Sequence, residues 1–357
     1  MSVSSFSGLQ TALRGLLAEQ RSIDVTGHNI ANVNTPGFSR QEAALTAAPA
    51  LTIPAGAIEG GAGAQLGQGV DVQAYRRIRD GFLDAQYRAQ SMRLGYHTAS
   101  ATTLSDAETA LAEPGRNGIA AQLGEFWDAW ADVANAPEDP AARQALVQQG
   151  RTLATAFATV DGQLAQLAES AAGEYATLTA AGGKVDGIAK ELGLLNGSIS
   201  AALQVGSVPN DLLDRRDLLV DQLSELGQVS VTPKDDGTVT IAFGDAGTAL
   251  VDGTTVTWPQ SLTSPGGRLG ALKDLSDPAG SLAGYRTSLA AVARTLAETV
   301  NAAHGSPAFF AFTTGDEAAT LAVAVTPAQV VTTGIVLVWS FLAHKLWTFR
   351  DPPGLVP

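Results

Sequence analysis

Gly27-His28-Asn29-Ile30-Ala31-Asn32-Val33-Asn34-Thr35-Pro36-Gly37-Phe38-Ser39-Arg40-Gln41 marks the place where one helix stops and the chain changes direction. Asn32, Asn34 and Thr35 carry short polar side chains that hydrogen-bond nearby backbone, and Pro36-Gly37 sets up a turn. Upstream of that stop, Phe6, Leu9, Leu13, Leu16, Gln20, Ile23, Gly27 and Ile30 succeed one another at spacings of three and four. Such spacing is a heptad seam, a narrow apolar stripe that needs a second helix along it or a core beneath it. Gln20 and Gly27 interrupt the stripe and argue against a long autonomous coiled coil. Two readings stay open at this level: an amphipathic helix packed on its own domain, and a helix reserved for assembly.

The ordered succession from heptad helix through Asn29, Ile30, Ala31, Asn32, Thr35, Pro36 and Gly37 to Phe38-Ser39-Arg40 resembles the N-terminal motif of bacterial flagellar axial proteins. Within that group of rod, hook and hook-associated proteins, the Phe-Ser-Arg-Gln continuation is most similar to the hook-associated protein 1 family. The resemblance implies a structural subunit at the junction of hook and filament, exported through the flagellum-specific channel to the extracellular flagellum without signal cleavage. It also implies partners: further copies of itself, the hook protein, the second junction protein and an export chaperone. Phe6, Leu9, Leu13, Leu16, Ile23 and Ile30 are the expected assembly seam, and Asn29 to Gly37 the expected setter of the angle between that helix and the next domain.

Composition agrees with a mainly helical chain. The 357 residues bound it at two or three domains. Hydrophobic residues make up 45% but aromatics only 6%, so alanine carries much of the apolar content and favours helix. A formal charge of -13 disfavours contact with phosphate backbones, so no nucleic-acid partner is expected. With no cysteine there is no disulfide, thiol nucleophile or thiolate metal site. The first residues contain no basic segment leading into an apolar core, so no cleaved secretory signal is read there.

Downstream, residues 45–72 are rich in Ala, Gly and Pro and read as a flexible loop or loosely paired strands. A phosphate loop fails there, because Leu66 stands where a third glycine would be needed and no Gly-Lys-Ser/Thr comes after it. Helical pattern is expected to resume near Tyr75 and to run through Ile78 and Phe82 to Leu111, before Glu113-Pro114-Gly115. A short helix carrying Ile119, Leu123, Phe126, Trp127 and Trp130 should end near Ala136-Pro137. Its tryptophans are read as core packing rather than a carbohydrate platform. Asp139-Pro140 then opens a long helix through Leu146, Leu153, Phe157, Leu164 and Leu167.

Asn210 to Leu226 reads as a helix capped by Asn210 at its start and closed by Gly227 in a left-handed conformation. Its charges are expected on a solvated face, with Asp211 and Arg215 paired. This stretch also resembles the helix preceding the middle domain of the same family. Period-two alternation comes next at Val229, Val231, Val239, Ile241 and Phe243 around an Asp235-Asp236-Gly237 hairpin turn, with more strands at Val251, Val256 and Trp258. Pro265-Gly266-Gly267 closes that module. A return helix from about Tyr285 through Leu289, Val292, Leu296 and Val300 reaches Asn301 and His304, and Phe309-Phe310 fits the family's pattern.

The resulting expectation is mainly α: a long-helix bundle with an N-terminal heptad helix and a small β-rich insertion. Its parts are 1–34 (axial helix and motif), 35–227 (helical domain, first part), 228–266 (β-rich module), 267–326 (return segment) and 327–357 (an atypical hydrophobic tail). No catalytic site, cofactor or metal is expected. His28, His97, His304 and His344 form no ligand spacing, and no Gly-x-Ser-x-Gly elbow is present. The protein is therefore not read as an enzyme. In the tail, no residue from Ala318 to Ala343 is charged, and residues 328–349 read as competent to enter a membrane. That segment resembles the last transmembrane helix of GtrA-type membrane proteins. The competing reading is a single-pass membrane-anchored helical protein, or a truncated or fused relative that does not assemble.

Overall fold

The computed structural model describes residues 6–53 and 63–330. In chain order they form α1 (Ser7–Ala31), β1 (Gln41–Ala47), β2 (Leu51–Ile53), β3 (Ala64–Leu66), β4 (Val70–Arg77), α2 (Gly81–Leu111), α3 (Ile119–Asn135), α4 (Pro140–Thr179), α5 (Lys184–Gln204) and α6 (Asn210–Leu226). Then come β5 (Val229–Pro233), β6 (Val239–Phe243), β7 (Val251–Asp252), β8 (Thr255–Val256), α7 (Gly267–Ser276), α8 (Ser281–His304), β9 (Phe310–Ala311), α9 (Glu317–Thr320) and β10 (Ala322–Val323). The fold is mainly α with small antiparallel sheets, as the sequence leads one to expect. It divides into two compact units, one holding residues up to Tyr96 and Thr177–Gly270, the other His97–Ala176 and Ala271 onward.

In the first unit, α1 lies along a two-stranded ribbon of β1 and β4, which pair antiparallel from Gln41 opposite Arg77 to Ala47 opposite Val70. The ribbon continues beyond a break into β2 and β3, with Leu51 opposite Leu66. Paired strands therefore occupy ground where the sequence suggests a loop or loose strands. The helix expected from Tyr75 begins only at Gly81. Tyr75 belongs to β4, whose burial alternates, and the Asp80 carboxylate accepts the Phe82 N–H at 2.8 Å to open the helix there.

α5 packs along α6 and, from its middle onward, against the sheet β5-β6-β7-β8, where the Asn196 amide donates to the Val239 and Gly253 carbonyls. The hairpin between β5 and β6 turns at Asp235-Asp236-Gly237 as expected, and Asp236 accepts the Thr238 N–H at 2.9 Å. Ile241, Phe243 and Val251 are buried in this small module. Trp258 lies just past β8, its indole N–H donating to the Thr179 carbonyl at 3.0 Å.

The second unit is built on α3, α4 and α8. Phe126, Trp127 and Trp130 from α3, Leu146, Leu153 and Phe157 from α4, and Leu289, Leu296 and Val300 from α8 are all buried. Asp139 opens α4 by accepting the Ala141 N–H at 2.9 Å, and Pro140 is the first helical residue, both as the sequence implies. Phe309 and Phe310 close the core, with the Phe309 ring centroid 4.8 Å from that of Phe310 and 5.2 Å from that of Trp130. The Asn301 side chain holds this turn in place: its amide donates to the Phe310 carbonyl at 2.8 Å and its oxygen accepts the Phe310 N–H at 2.7 Å.

Candidate functional site

α1 shows two unlike faces. Ser7, Thr11, Ala18, Ser22, Val25 and Asn29 line the covered side, and α1 contacts both β1 and β4. Ala18 is its one buried residue. Half a turn away, at 3.6 residues per turn, stand the seam residues. Leu9 and Leu16 are each 66% exposed, Leu13 53%, Ile23 70% and Ile30 69%; Phe6 is exposed as well. Leu17 and Val33 widen this apolar surface and were missed by the seam reading. Among the described residues, α1 packs on its own chain through small residues and leaves its large apolar ones exposed.

The end of α1 is held by a bracket of amides. Asn29 donates to the Gln41 carbonyl at 2.8 Å and accepts the Gln41 N–H at 2.9 Å, tying the helix to the first residue of β1. Asn32 donates to the His28 carbonyl at 3.0 Å and accepts the Thr35 hydroxyl at 3.1 Å. Phe38 packs on the edge of His28 with centroids 5.3 Å apart. Gly37 has φ +80, and a Cβ there would meet the Leu218 Cβ at 2.9 Å, so both its conformation and its closeness to α6 exclude a side chain. Ile30, Ala31, Pro36 and Arg40 complete the motif, and the buried Ser39 donates its N–H to Asp214 at 3.2 Å.

Beneath the bracket lies an ionic network. Arg77 at the end of β4 donates to Asp214 at 2.8 Å and Asp217 at 2.7 Å. Arg79 pairs with Asp84 at 2.7 Å, and Arg88 with Asp221 at 2.8 Å. Burial pulls the Arg79 guanidinium down, but Asp84, Asp217 and Asp221 together raise it above its ordinary value. The side chains are largely shielded, so removing one partner would strand a desolvated charge and be costly.

α6 departs from the sequence expectations in four respects. Asn210 does not cap the helix; its amide donates to the Tyr75 carbonyl at 2.9 Å and to Gln41 Oε1 at 3.1 Å, serving the ribbon instead. Gly227 is extended, with φ -166, because the chain passes directly into β5. Arg215 pairs with Glu191 of α5 at 2.7 Å rather than with Asp211, and Asp214, Asp217 and Asp221 face the arginines rather than solvent. Their spacing of three and four was the available signal, since it places all three on one stripe.

Among the described residues no group of three or more His, Asp or Glu side chains stands where it would hold a metal ion. No described helix is long and apolar enough to cross a membrane. The expected membrane-competent, GtrA-like tail falls almost wholly on residues 331–357, which lie outside the described residues.

Residues 9–38, which span the exposed helix and the turn that leads onto the ribbon, match the family model described as flagella basal body rod protein. Residues 104–261 match the helical domain of flagellar hook-associated protein FlgK, and the chain is of the FlgK type. It is 33% identical over 249 residues to flagellar hook-associated protein 1 of Bacillus subtilis, covering 70% of this chain and 48% of that protein. The Escherichia coli protein of the same name is 32% identical over 252 residues, covering 69% and 43%. Among solved structures, the flagellar hook junction protein FlgK from Burkholderia pseudomallei is similar with a TM-score of 0.55 at 25% identity, over 64% of this chain and 47% of that one. The chain thus spans less than half the length of these curated relatives.

Proposed function

We propose that this chain is a structural subunit of the bacterial flagellum at the hook-filament junction, acting by packing and not as an enzyme. The observation that carries the proposal is the inversion of α1: Ala18 and its small neighbours face the ribbon while Leu9, Leu13, Leu16, Ile23 and Ile30 stay exposed. A helix that withholds its large apolar residues from its own core gains by burying them against another helix, about 1.5–3 kcal/mol per fully buried side chain. The partners are further copies of the chain, the hook protein and the second junction protein, with a chaperone covering the seam during export to the extracellular flagellum. The bracket from Asn29 to Gly37 and the Arg77–Asp214 network aim the seam by fixing how α1 leaves the ribbon.

The test is a Leu13→Asp/Leu16→Asp variant expressed in cells lacking the natural junction subunit, tracked in sheared flagella by mass spectrometry. The expected result is loss from the flagellar fraction with an unchanged urea midpoint for the purified chain. Incorporation equal to the unaltered chain would refute the seam.

A further inference from the structure

The layer formed by α1 and its ribbon has a projecting apolar feature at one end and an apolar groove at the other. At the first end, Arg14 donates to the Gln68 carbonyl at 3.2 Å and Gly69 lies against Thr11, so the root of the distal ribbon sits beside the first turns of α1. Strands β2 and β3 continue beyond that root. Leu51 and Leu66 face each other across them, exposed, and every residue of β3 is exposed. A two-stranded ribbon with no core beneath it is marginal in water by itself. At the other end, where Asn29 binds Gln41, a groove of about 600 Å³ opens between α1 and β1, with Val25, Ile30, Val33, Phe38 and Ile78 among its walls. From Thr11 to Asn29 the helix rises about 27 Å at 1.5 Å per residue.

Charge complements shape. Arg40 and Glu42 rim the groove, and Asp71 stands at the ribbon root. Glu42 pairs with Arg76, whereas neither Arg40 nor Asp71 has an ionic partner among the described residues. We infer that the Leu51/Leu66 ribbon of one copy seats in the Ile30/Val33/Ile78 groove of the next copy, with Asp71 brought to Arg40. Because knob and groove are different surfaces, the contact is head-to-tail and propagates instead of closing a pair. Six described strand residues cover far less than the roughly 800 Å² per partner of a stable complex. The contact is accordingly weak alone and acts beside the α1 seam, so the inference rests on the reading of α1 as an assembly surface.

The test uses the absence of cysteine from the chain. A Val33→Cys/Leu66→Cys variant, with its two thiols too far apart to join within one molecule, is oxidised as the concentrated full chain. The expected product is a ladder of dimers, trimers and longer species joined through 33–66 bonds, as mapped by peptide mass spectrometry. Adding Arg40→Asp or Asp71→Arg alone should lower ladder yield about two- to fivefold, and both together should restore it. No ladder, dimers joined only through like positions, or no restoration by the double exchange would overturn the inference. If the ladder fails while Leu13→Asp/Leu16→Asp is still lost from flagella, only this contact falls. If the ladder forms while that seam variant incorporates normally, only the seam reading falls.

Discussion

Asp186 illustrates how a single side chain is committed by its surroundings. It accepts from the Lys190 ammonium at 2.8 Å and from the Gly182 N–H at 2.6 Å at the start of α5. Lys190 first and the Gly182 amide second hold its carboxyl below the ordinary carboxylate range. A carboxyl depressed in the folded chain adds stability that is complete above its unfolded value of about 4 and fades as pH falls below it. The urea midpoint of the unaltered chain should therefore drop more steeply below about pH 4 than that of Asp186→Asn. Parallel profiles for the two chains would remove Asp186 from acid sensitivity. Its i,i+4 partner was visible in the sequence. The partners of Asp214 and Asp217 were not, because Arg77 lies 137 and 140 residues away and no local pattern reports such a distance. Asn210 misled for a related reason: a residue type that caps helices was taken by the ribbon's carbonyl.

For elements, local signals succeeded where the pattern was periodic or punctuated. The heptad of α1, the Asp139-Pro140 start of α4 and the Asp235-Asp236-Gly237 turn needed only neighbours to be read. The ribbon was harder. Its strands bury one flank against the small face of α1 and carry Ala, Thr and Gln in place of a strong apolar alternation. Which face of α1 would be covered was likewise beyond the heptad itself, since a stripe of leucines is equally compatible with a core or a partner. The observed division gives a sharp contrast. Leu13→Ala on the exposed face should alter stability by no more than about 0.5 kcal/mol, the usual range for surface changes. Ala18→Leu, against the ribbon, should cost about 1–3 kcal/mol by overpacking. Urea unfolding monitored by circular dichroism distinguishes these outcomes, and equal costs would mean that the two faces are not as different as their burial.

At the scale of the whole chain, the last described residues belong to the core of the second unit. Phe309, Phe310, Leu321, Val325 and Val330 are buried, and Arg294 pairs with Glu317. Relative to a chain ending at residue 330, one ending at residue 304 should lose at least about 3 kcal/mol through the missing Phe309 and Phe310 alone, read as a lower urea midpoint. Equal midpoints for the two chains would show that these aromatics add little. The bend after α1 has a different consequence, one of timing. Its anchors, Asn210, Asp214, Asp217 and Asp221, lie 133 to 175 residues beyond the groups they hold. Contacts so distant in sequence close late. A chain made from its first residue onward can therefore close the local Asn29–Gln41 bracket long before Asp214 and Asp217 arrive to hold Ser39 and Arg77. Only after α6 has been delivered is the bend held from its far side as well, so its fastening comes in two instalments, one local and early, one distant and late.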